Sequence, residues 1–254
     1  MLNKLQIKKD NHIFSRFEIK YILNKKNSKS IQNEIKNFMT YDGYIDKKKK
    51  EKKYYVRSIY FDNNQFLNFN EKVDGLKIRH KYRIRTYSNK FYRETKLFLE
   101  QKGRNNERTY KIRSKINKKD LQLFFNKKKI FNLNKKYKKF HLFEKFVFDS
   151  YRKNLSPNVI IDYDRRPFIN NTGIYFRLTF DSNLRACISD VLFKKIYNWK
   201  SCIDGFEILE VKFDRTIPAW FQKIIQSFEL RRVSVSKYVL GLEATGLAED
   251  YEGK

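Results

Sequence analysis

The stretch KIRHKYRIRTY (77–87) carries a basic residue at every second position. In an extended chain successive side chains point to opposite faces, which places Lys77, Arg79, Lys81, Arg83 and Arg85 on one side and Ile78, His80, Tyr82 and Ile84 on the other. Same-face neighbours stand about 7 Å apart, so the five cations form a ladder about 27 Å long that repels itself unless an anion lies along it. A second pattern adds the opposite sign. The pair E-x-K occurs at Glu18 and Lys20, Glu100 and Lys102, and Glu210 and Lys212, and in a strand each pair shares a face. A surface built only for a nucleic-acid backbone loses affinity with every carboxylate beside the phosphates. Both signs suit phosphoryl handling with a divalent cation: Arg and Lys clamp phosphate oxygens, and carboxylates hold Mg²⁺ or Mn²⁺. The sequence has no GxxxxGK[ST] loop and no Gly-rich loop, so phosphate binding must rest on side chains.

Several stretches repeat the alternation that would position these groups. RFEIKYIL (16–23) sets Arg16, Glu18 and Lys20 against Phe17, Ile19, Tyr21 and Leu23, and ETKLFLEQK (94–102) sets Glu94, Lys96, Glu100 and Lys102 against Thr95, Leu97 and Leu99. IYFRLTFD (174–181) and FEILEVKFD (206–214) follow the same rule, and YYVRSIYFD (54–62) and NVIIDYDRR (158–166) are further β-rich runs. Helical spacing marks Ile217, Trp220, Phe221, Ile224, Ile225 and Phe228, with Pro218 near the start. Weaker periodicity predicts helices over 30–39, 119–126 and about 136–153. Apolar helix stripes need an apolar surface, and the strands supply one. The predicted architecture is α+β: a closed antiparallel β-barrel, or tunnel, with a polar, charged lumen and helices packed on the outside.

Composition sets the outer bounds. With 254 residues, 41% hydrophobic and 17% aromatic, the chain can bury a sizeable core, and without repeats or a compositional break it reads as a single domain over 1–254. Lys plus Arg is 57 against 28 for Asp plus Glu, a net charge of +29. The lysine and asparagine runs near 47–53 and 126–140 read as solvated faces; the arginines, with a fork matched to phosphate, are more informative. Two cysteines, Cys187 and Cys202, and three histidines form neither a disulfide framework nor a zinc spacing. His80 falls on the apolar side of its strand and reads as a core or surface residue. No signal peptide or membrane span is evident, so the expected location is cytoplasmic, with the charge able to hold the protein against an anionic membrane surface.

RFEIKY (16–21), RSIYFD (57–62), NEKVDG (70–75), KYRIRTY (81–87), LEQKGR (99–104), DYDRRPF (162–168), RLTFD (177–181), ILEVKF (208–213) with the following P-x-W helix, and SKY (236–238) run in order along the chain. Together they resemble the VTC polyphosphate polymerase domain of the triphosphate tunnel metalloenzyme superfamily. The resemblance implies transfer of the γ-phosphate of ATP to a growing polyphosphate with Mn²⁺ or Mg²⁺ present. It points to Lys20, Lys72, Arg83, Arg85, Lys102, Arg177 and Lys237 as phosphate-binding residues and to Glu210 as metal ligand. Strand phase alone adds Arg79, Lys81, Arg165 and Lys212, while Glu18 and Glu100 either assist the metal or position neighbouring lysines. Expected partners are ATP and inorganic polyphosphate, with no specific nucleic acid. The eukaryotic polymerase is fused to a regulatory domain and membrane spans that this sequence lacks, so a separate membrane protein would have to supply coupling to export. Two alternatives stay open: a tripolyphosphatase or nucleoside triphosphatase of the same superfamily, and a non-catalytic polyphosphate or nucleic-acid binding module.

Overall fold

A computed structural model describes residues 14–42, 45, 51–170 and 175–248. The N-terminal stretch read above and most of the lysine run at 47–53 lie outside the described residues. Ten strands form one antiparallel sheet: β1 (Phe14–Asn24), β2 (Met39–Tyr41), β3 (Tyr54–Asp62), β4 (Ile78–Thr86), β5 (Leu97–Asn105), β6 (Arg108–Ile116), β7 (Ser156–Asn170), β8 (Phe176–Ile188), β9 (Lys200–Ser201) and β10 (Phe206–Phe213). The helices are α1 (Lys25–Ile35), α2 (Leu67–Val73), α3 (Asn132–Lys136), α4 (His141–Arg152), α5 (Ala219–Ser227) and α6 (Lys237–Thr245), with a 3₁₀ helix over Lys118–Phe125.

Hydrogen bonding runs β7-β3-β4-β5-β6-β1-β10-β8, and β8 pairs back with β7, so eight strands close on themselves by pairing. The ring is irregular. Its β1–β6 junction spans only the register Phe14–Lys111 to Arg16–Thr109, and the register shifts at Tyr60/Phe61 and Asp162/Asp164. Beyond the ring, β2 pairs with β7 and β9 with β8.

Strand phase separates charge from core. On β4, Tyr82 and Ile84 are 1% and 0% exposed and pack outward with Leu97, Leu99, Phe143 and Phe146, while Arg79, Lys81, Arg83 and Arg85 face the ring interior. A second outer cluster joins Leu178, Leu209 and Val211 to Ile31 and Ile35 of α1 and to Phe221 and Ile224 of α5. These helices cover the outer face, as the apolar stripes require.

α6 departs from that arrangement. Val56, Tyr60, Val159, Ile161, Leu184, Ala186 and Ile208 pack with Tyr238 and Leu242. Val56, Tyr60 and Ile208 share the strand faces of cavity-lining or inward charged residues, so this third cluster lies inside one end of the ring and α6 seals it. The expectation that the helices lie outside is corrected here. α6 can seat against β7 because Gly241 presents no Cβ: an added one would meet Ile161 Cδ1 at 2.7 Å and Cγ1 at 3.1 Å.

Other boundaries moved for local reasons. Lys77 precedes β4 and is exposed, so the inward ladder has four cations rather than five. Glu94 and Lys96 precede β5. The helix expected over 30–39 begins at Lys25, where the Asn24 side chain accepts from the Asn27 N–H, and stops before Met39–Tyr41 because those residues pair with β7. The helix expected over about 136–153 is two, broken where Tyr137 stacks on Phe143 at 3.9 Å and its hydroxyl accepts from the Asn117 N–H. The segment over 119–126 is 3₁₀ rather than α. The strand β6 is an addition.

Replacing Gly241 by Val is expected to cost about 1–3 kcal/mol by overpacking against Ile161, read as a lower urea midpoint with an unchanged slope. Valine at this position with wild-type stability would show that α6 is not seated against β7 as described.

Candidate active site

The ring interior holds a cavity of about 1570 Å³. Eighteen lysines and arginines line it against four acids, Glu18, Asp42, Glu71 and Glu210, a balance that favours a polyanionic occupant. The cations assigned to phosphate binding from the sequence line it: Lys20, Lys72, Arg79, Lys81, Arg83, Arg85, Lys102, Arg165, Arg177, Lys212 and Lys237.

The E-x-K pairs acquire their meaning from register. β1 and β10 pair antiparallel with Glu18 opposite Lys212 and Lys20 opposite Glu210, so two E-x-K segments make a two-by-two checkerboard of alternating sign. Lys102 of β5 reaches across to Glu18, its Nζ donating to Oε1 at 2.9 Å and Oε2 at 3.1 Å. Lys212 Nζ donates to Glu210 Oε2 at 2.6 Å, Arg165 Nη2 to the same oxygen at 3.1 Å, and Lys237 Nζ to Oε1 at 2.6 Å. Burial pushes the Glu210 carboxyl up, but Lys212, Lys237, Arg165 and Lys20 hold it well below the usual carboxylate range. Glu18 is likewise buried; Lys102 draws its pKa down against the charge of Glu210, Lys212 and Lys20 assist, and it stays far below its ordinary value. The site therefore keeps two ionised carboxylates close enough to repel each other.

Glu100 has a different place. It is 0% exposed, and Arg83 donates to its Oε2 from Nε at 2.8 Å and from Nη2 at 2.6 Å, with Arg85 Nη1 at 3.8 Å and Arg113 Nε 3.2 Å from Oε1. Its partners are arginines rather than neighbouring lysines, and it stands behind them instead of in the carboxylate pair. Glu100 thus holds the guanidinium forks, apart from the pair formed by Glu18 and Glu210. Arg83 also donates to the Tyr60 hydroxyl at 2.9 Å, and Arg85 to Ser58 Oγ at 3.1 Å and the Tyr163 hydroxyl at 3.0 Å.

Lys237, at the first turn of α6, brings a cation from outside the strand set. It bridges Glu210 and Asp181, with Nζ 2.7 Å from Asp181 Oδ2, and Arg165 donates to both Asp181 oxygens at 2.6 Å. Burial lowers the Lys237 pKa, but Asp181 and Glu210 raise it above the ordinary lysine value, so it is a fixed positive charge. Asp181 thus holds Arg165 and Lys237 in position. Asp62, at the end of β3, accepts from the Asn68 N–H at 3.0 Å and the Tyr238 hydroxyl at 2.6 Å, fixing α2 and α6.

Three further lysines hold the segment that enters α6. Lys20 Nζ donates to the Val235 carbonyl at 2.7 Å, Lys72 Nζ to Ser234 Oγ at 3.0 Å and Lys81 Nζ to Ser236 Oγ at 3.0 Å. Lys81 is the clearest electrostatic debt in the cavity: burial lowers its pKa first, and Lys102, Lys20, Arg83 and Arg79 lower it further, well below the lysine range. Arg79 donates to the Leu76 carbonyl, and Arg177 Nη2 lies 2.8 Å from Asp42 Oδ2. His80 is half-buried on the outer side, its Nε2 2.9 Å from Asp149 Oδ2.

Sequence reasoning missed β6, and with it Lys111, Arg113 and Lys115, all of which line the cavity. Their signal was present: RTYKIRSKI alternates Thr109, Lys111, Arg113 and Lys115 with Tyr110, Ile112, Ser114 and Ile116. Burial pushes the Lys111 ammonium down, Glu100 resists, and Arg85, Arg113 and Arg83 push it further, to about 7.

A paired ring of antiparallel strands around a cationic, acid-dotted interior is the architecture of the triphosphate tunnel metalloenzymes. The VTC domain model matches residues 15–245, and the chain belongs to the VTC domain family. Among solved structures, one from Hippeastrum, described as an adenylyl cyclase candidate with a dominant triphosphatase activity, aligns at a TM-score of 0.51 and 10% identity over 90% of this chain and 95% of that one. A Pyrococcus horikoshii protein aligns at 0.46 and 14% identity over 91% and 99% of the two chains. A Bacillus halodurans adenylate cyclase candidate aligns at 0.47 and 14% identity over 87% and 93%. At these identities the likeness concerns the fold alone. A search of the curated proteins found no match.

The displaced pKa of Lys111 has a thermodynamic consequence. Its folded value of about 7 lies below the unfolded value of about 10.4, so the unfolded chain binds more protons between these limits, and this group's contribution to stability rises with pH across that window. A polyanion in the cavity reverses the shift. Tripolyphosphate binding at pH 8 should therefore take up protons, measured by calorimetry in buffers of different ionisation enthalpy, and Lys111→Met should reduce the uptake; equal uptake in the variant would contradict the assignment.

Proposed function

We propose that the protein is a metal-dependent polyphosphate polymerase that transfers the γ-phosphate of ATP to the end of a polyphosphate chain inside a tunnel formed by the strand ring. The observation that carries this reading is the cavity lining of eighteen lysines and arginines against four acids, with Lys81 half-buried among Lys102, Lys20, Arg83 and Arg79, a grouping that a chain of phosphates would neutralise. Membership of the VTC family supports the same substrate class.

In this mechanism Arg83, Arg85 and Arg113, aligned by Glu100, bind the phosphoryl oxygens as rigid forks, while Lys20, Lys81, Lys102 and Lys212 supply mobile ammonium groups and Lys237 a fixed one. Arg165 and Arg177 bind from β7 and β8, and Lys72 and Arg79 extend the basic lining. The lysines that now donate to carboxylates and to the 234–236 backbone and hydroxyls turn to phosphate when it enters. An oxygen of the acceptor's terminal phosphate forms the new P–O bond as the bond from the γ-phosphorus to the β,γ-bridging oxygen breaks, and ADP leaves. The acceptor is already an anion, so no general base is needed; the cage aligns the two phosphates and offsets charge on the transferring group.

Glu210 and Glu18 fit a Mg²⁺ or Mn²⁺ ion. They are ionised hard-oxygen donors, and among the described residues no group of three or more His, Cys, Asp or Glu could hold a metal ion. One or two carboxylates with phosphate oxygens completing the shell is the way Mg²⁺ is ordinarily held with such substrates. When bound, held by Glu210 and Glu18, the ion would neutralise part of the charge on the phosphate oxygens.

Incubating the purified protein with ATP and Mn²⁺ should yield long, acid-stable polymer on a gel; release of orthophosphate alone would identify a triphosphatase instead, and binding without turnover a carrier module. Arg83→Ala should lower kcat by about 10²–10³-fold, the loss typical of removing one preorganised donor to developing charge. Glu210→Gln should abolish the metal-dependent part of the activity, and full retention would remove Glu210 from the metal site.

A further inference from the structure

The outward face of α4 combines apolar rings and cations in a way the cavity chemistry does not use. α4 buries Leu142, Phe143, Phe146 and Val147, and its opposite face leaves Phe148 64% and Tyr151 47% exposed. Phe131, just before α3 and 53% exposed, stacks on Tyr151 with centroids 4.2 Å apart. The Tyr151 hydroxyl donates to the Lys127 carbonyl at 2.8 Å, which ties the exposed Lys127–Lys129 turn to the same patch. Arg152 closes the edge, its guanidinium 6.0 Å from the Phe148 ring centroid. None of these residues lines the cavity.

Charge on this lobe is one-sided. Between residues 118 and 153 the sequence has twelve lysines and arginines against three acids, and two of those, Asp120 and Asp149, are buried and bonded to Tyr137 and Tyr82 respectively. Exposed rings in a field of lysines are costly in water and favourable at a headgroup layer, where aromatic edges enter the interface and lysine stems keep their ammonium groups among the phosphates.

We propose that this face, formed by α4, the 127–129 turn and Phe131, docks the protein on an anionic lipid bilayer. A single-stranded nucleic acid is the less suitable occupant, because bases stack on ring faces. Here Phe131 and Tyr151 cover one another at an interplanar angle of 23°. Lysine, a compact point charge, also outnumbers arginine on the lobe. Docking here would leave the cavity free and place it beside the membrane.

The test is flotation with vesicles of phosphatidylcholine containing phosphatidylglycerol, against pure phosphatidylcholine, with saturating tripolyphosphate present so that cavity cations are occupied. Binding should be about tenfold or more stronger to the anionic vesicles and should weaken with salt. Phe148→Ser with Tyr151→Ser should cut it about tenfold. A second variant, Lys127→Gln with Lys128→Gln and Lys129→Gln, touches no packed ring and should do the same, with both variants turning over ATP at the wild-type rate. Unchanged vesicle binding by the lysine variant would overturn the proposal, as would a patch that binds poly(A) RNA through these residues and leaves vesicles unbound.

Discussion

Everything in the ring follows from the need to hold many like charges in one enclosed space. Ammonium and guanidinium groups in a medium of lower dielectric than water repel more strongly and lose hydration as well. The cavity meets this with a small number of carboxylates placed where each touches several cations: Glu210 touches Lys212, Lys237 and Arg165, and Glu100 gathers Arg83, Arg85 and Arg113. The compensation is partial. Lys81 and Lys111 remain electrostatically uphill, a repulsion that an anion in the cavity would relieve. The outward aromatic and aliphatic packing stabilises a ring that its interior alone would open.

The carboxylates divide into two kinds by surroundings rather than by residue type. Glu100 is enclosed by arginines, whose planar forks suit bidentate geometry and stay where the carboxylate puts them. Glu18 and Glu210 are met mostly by lysines, whose single charged groups on flexible stems can leave for a phosphate. One carboxylate therefore holds rigid forks, while the other two are held by flexible lysine stems. α6 adds a fixed element. Its seat inside the ring, anchored by Tyr238 on Asp62 and by the absence of a side chain at Gly241, delivers Lys237 to the junction of Asp181 and Glu210.

Much of this was legible one strand at a time. Alternation separated Tyr82 and Ile84 from Arg83 and Arg85, and the E-x-K pairs marked β1, β5 and β10 as strands with a shared polar purpose. What escaped was of two kinds. β6 carries the same alternation, but Ser114 interrupts its apolar face and no E-x-K pair marks it as a neighbour of β1, β5 and β10. The α3–α4 break depends on a ring stack between Tyr137 and Phe143 and a hydroxyl contact to Asn117, interactions between residues whose proximity no local period encodes.

By itself the sequence determined the two faces of the strands, the outer helices that must cover the apolar one, and the sign of the ligand, because these rest on periodicity and charge within a few residues of chain. Tertiary structure decided which carboxylate meets which cation, that α6 enters one end of the ring while α1, α4 and α5 cover its outer face, and that exposed rings and lysines gather on α4. Each of those depends on register between strands distant in sequence or on the space left inside a closed ring, and side-chain period is blind to both: it says which side of a strand is polar, never what stands opposite.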